Sequence, residues 1–394
     1  MTDMNGFSGV IHGYGSLPLA VMLLLLVLGA GCATAPGLKN VSQAEQQRVL
    51  SGASLALDAE RIRVAPDVDV MGLTEDMKAF VRKAVSQSRT GGEKLKALLE
   101  AVVSPRRLGL VYDGTASYTA SETYRHRRAN CLSFTTMIIA MLRYAGFHAE
   151  FNNVDIPPIW DLQNNNMLVM YRHVNTIVSW PGGGREVVDI NMDEYNFHYP
   201  QHSVRDEVAI AQFYNNRGVE FLLQGNITDA FRYLRKAISL AAEVPYLWVN
   251  MGALYRNQGL LQDAEIAYRK ALEADPVNLV AISGAERIYK DLGMTELSAK
   301  FARQAQYFRE RNPYYMYTVA RQAFLAGDYS KAIQDINAAI RRYDEEHRFY
   351  FLQGVIYKAL GESVLAQTSF DMAIKLSASD KQADKYRSKL QKIM

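Results

Sequence analysis

Five glycines, Gly225, Gly259, Gly293, Gly327 and Gly361, stand 34 residues apart. A period kept that strictly limits the C-terminal half of the chain to stacked copies of one supersecondary unit. Ala237, Ala271, Ala305, Ala339 and Ala373 hold the same spacing, as do the small residues Ala230, Ala264, Ser298, Ala332 and Ala366. Gly218, Gly252 and Gly354 keep the register too, with Glu286 and Ala320 in the two remaining slots. Small side chains at fixed intervals let two helices approach closely, and glycine lets the turn between them reverse. The reading is five helix pairs over 211–380. An open end of such a stack exposes apolar surface, and the amphipathic tail Lys381 to Met394 reads as its capping helix.

With aromatics added at Phe221, Tyr255, Tyr289 and Tyr357, the pattern is identified as the tetratricopeptide repeat (TPR). The resemblance implies an all-α solenoid whose groove, lined by the first helix of each repeat, receives a protein or peptide partner. Carried over position by position, the groove residues here are Arg256, Asn257, Arg287, Lys290, Tyr314, Tyr317 and Arg321, with Phe324, Arg348 and Lys358 beyond them. A basic and aromatic face of this kind suits an acidic segment or a terminal carboxylate, with arginines as bidentate clamps.

Composition bounds the rest. At 394 residues, 49% hydrophobic and 22% charged, the chain is globular and long enough for two or three domains. A net charge of +3 gives no global footprint for nucleic acid. Two cysteines exclude a disulfide framework, and no Cys/His cluster has zinc-ligand spacing, so neither a metal nor a cofactor is expected.

Leu19 to Gly31 is an apolar run of 13 residues ending at Cys32. A spanning helix needs about 20 residues, so the run fits a signal peptide over 1–31. Gly29-Ala30-Gly31-Cys32 resembles a bacterial lipobox, with two departures: no Lys or Arg precedes the run, and Gly29 stands where leucine is usual. The resemblance implies lipidation at Cys32. Ala33 after it implies a lipid anchor in the outer membrane of a Gram-negative cell envelope, facing the periplasm. Residues 32–70 then read as the lipidated N-terminus and a linker.

Cys131 is the one thiol left for chemistry in the body of the chain. Thr74-Glu75-Asp76 opens a helix carrying Met77, Phe80, Val81 and Ala84, which Gly91-Gly92 is expected to break. A second helix with Leu95, Leu98, Leu99 and Val102 ends at Pro105. Asn130-Cys131 opens a third, apolar helix that runs to Ala145. A cysteine at a helix N-terminus meets the positive end of the macrodipole, which favours thiolate. Arg125, His126, Arg127 and Arg128 push the same way. Downstream, Pro181-Gly182-Gly183-Gly184 marks a turn between the β-rich runs Met167 to Trp180 and Arg185 to Ile190. A three-residue loop pairs Trp180 with Gly184, so partner numbers sum to 364. His173 then faces Asn191 and has Asp189 as diagonal neighbour on the same sheet face. An even loop without a bulge would part them.

Asn130-Cys131-Leu132-Ser133, Tyr171-Arg172-His173-Val174-Asn175 and Val187-Val188-Asp189 together resemble the transglutaminase-like superfamily, with its papain-like core. The resemblance implies an α+β cysteine domain over 71–205 ahead of the all-α TPR solenoid. It also implies roles: Cys131 as nucleophile on an acyl carbon, His173 as acid and base, and Asp189 as orienter of the imidazole. The Cys131 N–H would hold the oxyanion, with Tyr112 or Tyr124 as candidates for a second donor. The function expected is a cysteine peptidase or related acyl transferase acting on amide bonds through a thioester. The rivals are a non-catalytic envelope scaffold that uses both domains for protein–protein interaction, and a peptide cross-linking enzyme.

Overall fold

The computed structural model describes residues 38–57, 65–156, 159–161, 167–169, 173–182, 184–190, 199–377, 383–384 and 386–388. The apolar run, Cys32, Tyr171, Arg172 and Asn191 lie outside the described residues. The expected capping helix is described only at 383–384 and 386–388, which are helical. Among the described residues no helix is long and apolar enough to cross a membrane.

The described residues from Lys39 onward form one compact unit. It begins with α1 (Gln43–Ser51), α2 (Glu75–Val85), α3 (Gly91–Val103), β1 (Val111–Tyr112), α4 (Ala120–His126), β2 (Arg128–Ala129) and α5 (Cys131–Tyr144). The strands β3 (His148–Val154), β4 (Ile159–Asp161), β5 (Met167–Val169), β6 (His173–Trp180), β7 (Gly184–Val188) and β8 (Gln201–Val204) follow. Thr74 caps α2 as its sequence suggests, accepting from the Met77 N–H. Gly91 and Gly92 do not break a helix; they form the first turn of α3. The reciprocal Thr90–Glu93 capping box satisfies the end groups there and offsets the poor helix propensity of glycine.

β1 and β2 pair in parallel over two residues each, and β4 pairs with β5. The other strands form an antiparallel sheet in the order β7-β6-β3-β8. Trp180 sits opposite Gly184 and Thr176 opposite Val188, the register an odd loop requires. α5 packs on β6 and β3. Every residue from Leu132 to Leu142 is buried, because a helix apolar on all sides must be covered on all sides. Thr135 Oγ1 donates to the Val174 carbonyl at 3.1 Å, which fastens α5 to β6 beside His173.

The repeats are the pairs α6 (Asp206–Leu223) with α7 (Ile227–Leu240), α8 (Pro245–Asn257) with α9 (Leu261–Ala274), and α10 (Leu279–Asp291) with α11 (Thr295–Arg309). They continue as α12 (Pro313–Leu325) with α13 (Tyr329–Arg342), then α14 (His347–Ala359) with α15 (Ser363–Lys375). The five periodic glycines are the turn residues, with φ between 72° and 83°. A Cβ there would meet nothing within 4 Å, so left-handed backbone rather than lack of space selects glycine. In the third pair the two deviating slots meet: Ser298 Oγ donates to the Glu286 carbonyl at 3.3 Å, and Arg309 pairs with the Glu286 carboxylate at 3.8 Å.

The stretch read as a linker carries a docked helix. A Ser42–Glu45 capping box starts α1, which packs on α9. Arg48 grips Asp263 through two bonds of 2.9 and 3.1 Å. Arg269 pairs with Glu45, and Tyr255 Oη donates to the Val49 carbonyl at 2.5 Å. Farther along, Tyr214 Oη donates to the Pro66 carbonyl at 2.9 Å and accepts from the Val68 N–H at 3.1 Å.

Candidate functional site

Cys131 is the first residue of α5, and the start of that helix is fixed from several directions. The Asn130 side chain accepts from the Ser133 N–H at 2.8 Å and donates to Ser117 Oγ at 3.0 Å. Ser133 Oγ donates to the Ala116 carbonyl at 2.9 Å and accepts from the Tyr118 N–H at 2.8 Å. A short polar side chain at the N-cap is what the exposed N–H groups of a first turn need. Cys131 itself is part-exposed, hence reachable.

His173 opens β6 with 3% of its side chain exposed, and its Nε2 lies 2.5 Å from Asp189 Oδ2, whose side chain is 1% exposed. The imidazole also hydrogen-bonds Cys131. With Nε2 held by Asp189, Nδ1 is the nitrogen left for the sulfur. Burial by itself pushes the imidazole pKa down, but the bonds to Asp189 and Cys131 outweigh it and raise the value to about 10. A nitrogen base between sulfur and carboxylate can take a proton from the thiol and return it to a leaving group.

The three sequence-derived residues are therefore brought together. The basic run before them acts differently from expectation. Arg125, His126, Arg127 and Arg128 are all exposed, and Arg128 pairs with Asp113 at 2.7 Å. Water and that carboxylate screen their charge. Tyr124 packs edge-on against Phe80 of α2 with centroids 5.6 Å apart. Tyr112 is an exposed residue of β1.

Sequence reading missed a row of amides behind Asp189. Asn175 Nδ2 donates to Asp189 Oδ2 at 3.1 Å. Asn152 Nδ2 donates to Asn175 Oδ1 at 2.8 Å and to Gln201 Oε1 at 2.9 Å. Asparagines inside the strands, Asn152 and Asn175, were the visible signal; their alignment needed the β3–β6 register. Among the described residues no group of acidic, histidine and cysteine side chains could hold a metal ion.

On the repeats, the residues assigned to the groove divide. Tyr314 and Tyr317 lie against the Phe349 ring at 5.2 and 5.4 Å, so both are used in packing between repeats. Arg348 holds Glu346 by two bonds of 2.8 and 2.9 Å and donates to Tyr199 Oη at 3.0 Å. Glu346 is fully buried, and Tyr199 donates to it at 3.0 Å. Arg256 pairs with Asp291 at 3.2 Å. Asn257, Lys290 and Arg321 are exposed, and Arg287 is half-buried. Two of the helices that carry these residues are also contacted from within the chain, α12 by β4 and α10 by β5.

Models of the tetratricopeptide repeat match residues 211–244, 245–276 and 317–381. The gap between the last two holds most of the third repeat, the one altered at Glu286 and Ser298. A curated relative, anaphase-promoting complex subunit 3 of Schizosaccharomyces pombe, is 25% identical over 139 residues, which are 35% of this chain. The chain spans only 21% of that relative's length. Among solved structures, MamA from Desulfovibrio magneticus RS-1 is 19% identical and covers 44% of this chain and 96% of its own, with a TM-score of 0.25. YrrB, titled a TPR protein with an unusual peptide-binding site, is 17% identical over 45% of this chain and 92% of its own, also at 0.25. Pseudomonas aeruginosa pilF is 15% identical over 48% of this chain and 94% of its own, at 0.26. The C-terminal half of this chain is an array of TPR repeats.

Proposed function

We propose that this chain is a protein-binding scaffold of the cell envelope, which engages a partner through its TPR array. The array itself carries this reading, because a stack of helix pairs offers a long surface built for contact rather than for chemistry. Membership of the curated relative in a multi-subunit complex agrees with it. The exposed Lys290 and Arg321 and the half-buried Arg287 favour an acidic peptide segment. Calorimetric titration of the full chain with acidic peptides tests the idea. Affinity is expected to fall at least tenfold in an Arg287→Glu/Arg321→Glu double variant, and unchanged affinity would sink it. Lipidation of Cys32 would supply the anchor; palmitate incorporation that survives Cys32→Ser removes that part of the reading.

A second reading is favoured by the cluster of Cys131, His173 and Asp189. In it the part before the repeats is a transglutaminase-like domain that cleaves amide bonds. The sulfur attacks the acyl carbon, the C–N bond breaks, and the amine leaves with the proton that His173 took from the thiol. Water, deprotonated by His173, then releases the acid and restores the thiol. Hydrolysis is preferred over cross-linking because nothing in the sequence marks a site for an acceptor amine. Labelling of Cys131 by a thiol probe in wild type and His173→Ala separates an enzyme from a scaffold. Fast labelling lost with the histidine supports chemistry. Slow labelling that ignores the change leaves only the scaffold.

A further inference from the structure

The amide row behind Asp189 crosses the whole sheet, one side chain per strand. Gln201 comes from β8, Asn152 from β3, Asn175 from β6, and Asp189 from the residue after β7. Asn152 and Asn175 are direct cross-strand partners. Asn175 and Asp189 fall opposite each other when the β6–β7 register is carried one pair beyond Thr176 and Val188. Both asparagines are 0% exposed.

The bonds have a direction. Asn152 uses its amino group toward both neighbours, at 2.8 and 2.9 Å, so it cannot rotate its amide without setting oxygen against oxygen. That fixes Asn175 with its oxygen toward Asn152 and its amino group toward Asp189. Asp189 Oδ2 then accepts from Asn175 at 3.1 Å and from His173 at 2.5 Å. The arrangement leaves Asn152 Oδ1 buried without a hydrogen bond. An orphaned buried acceptor costs about 1–3 kcal/mol. An apolar residue of similar size would avoid that cost in a row that served only to fill the sheet.

We propose that Asn175, locked by Asn152, is a positioning residue that keeps the Asp189 carboxylate aimed at His173 and thereby tunes the reactivity of Cys131. This rests on the reading of Cys131 as a nucleophile. The titratable groups facing the imidazole are Cys131 from α5 and Asp189 after β7; Asn175 touches the second of them. An amide donor beside Asp189 restrains its rotation. Loss of that donor frees the carboxylate to turn away, and a carboxylate put in its place repels it.

The test is the pH profile of iodoacetamide labelling at Cys131 in the full chain, resolved by peptide mass spectrometry so that Cys32 does not contribute. Wild type, His173→Ala, Asn175→Ala, Asn175→Asp and Asn152→Asp are compared, each checked for folding by circular dichroism. In wild type, labelling near pH 6 is expected to be at least about tenfold faster than in His173→Ala. Both Asn175 variants should slow it about tenfold near pH 6, with rates within about twofold near pH 10 where any thiol is ionised. Asn152→Asp should slow it by less. Should Asn175→Ala not fold, the near-isosteric Asn175→Asp decides. Folded Asn175 variants that label at the wild-type rate near pH 6 overturn the positioning role alone. A wild-type profile indifferent to His173 overturns the nucleophile reading and this proposal with it.

Discussion

His173 Nε2 and Asp189 Oδ2 lie 2.5 Å apart, with both side chains sealed from solvent. The folded chain holds the imidazolium proton up to about pH 10, against an ordinary value of 6.5. A group with a raised folded pKa stabilises the fold fully below its unfolded value and loses that contribution as pH rises through the folded one. Stability should therefore decline between about pH 6.5 and 10 from this group. Urea unfolding across that window is expected to show the decline in wild type and a flatter profile in Asp189→Asn. An identical slope in the variant would mean the Asp189 bond is not its source.

Asn130 caps the helix that presents Cys131. Asn130→Ala should cost about 1–2 kcal/mol by the loss of a cap, and it also removes the bond to Ser117. Thermal unfolding measures the first effect. Slower alkylation of Cys131 in the folded variant would register the loosened helix start.

The docking of α1 should be acid-sensitive. Bonds from Ser42 first, and from Arg269 after them, hold the Glu45 carboxyl at about 2 instead of 4.5. A depressed carboxyl contributes above its unfolded value and ceases to as pH falls through the folded one. Hydrogen exchange of the amides in α1 is expected to speed up as pH falls from about 4.5 toward 2, after correction for the intrinsic rate. At neutral pH, Arg48→Ala should produce a similar loss of protection, because it removes the grip on Asp263. Protection unaltered in that variant would assign the docking to Val49 and Tyr255 instead.

Glu346 is fully buried, paired with a half-buried Arg348 and hydrogen-bonded by Tyr199. Removing one partner of such a pair costs about 3–5 kcal/mol, whereas replacing both by apolar side chains is often close to neutral. Differential scanning calorimetry should thus find Arg348→Met, which strands the buried Glu346 carboxylate, far less stable than the double variant Glu346→Leu/Arg348→Met. Equal losses in the two would show that the pair is not energetically coupled.

Two glycines of the array should fail for different reasons. At Gly293, φ is 72° and the surroundings are open, so alanine meets backbone strain of about 1–2 kcal/mol. At Gly354 a Cβ would stand 2.5 Å from the Phe370 ring, and overpacking there costs about 1–3 kcal/mol. Phe370→Leu should partly rescue Gly354→Ala and leave Gly293→Ala unrescued, as read by unfolding midpoints.

Features set by local rules were legible in the sequence. The turn glycines announce themselves by period, and the loop length after Trp180 determines which face Asp189 shares with His173. Features set by long-range contact were not. Asp344-Glu345-Glu346 looks like a solvated acidic run, yet Glu346 is fully buried, because Arg348 two residues on and Tyr199 from a distant segment meet it there. Gly91-Gly92 misleads by composition, since the capping residues on either side outweigh it. The amide row is invisible without the pairing of β3 with both β6 and β8. Tyr314 and Tyr317 occupy positions that a motif assigns to ligand, and only the placement of Phe349 shows that they are occupied by packing.

The paired strands β4 and β5 lean on α12 and α10, and this changes how any affinity for those helices must be understood. A segment tethered in the same chain competes at an effective concentration of about a millimolar. A free peptide sharing its footprint would have to exceed that local concentration in units of relative affinity before it was seen to bind. A fragment holding the repeats without those strands would present a different receptor from the intact chain, and the ratio of the two dissociation constants would measure how tightly the protein occupies itself.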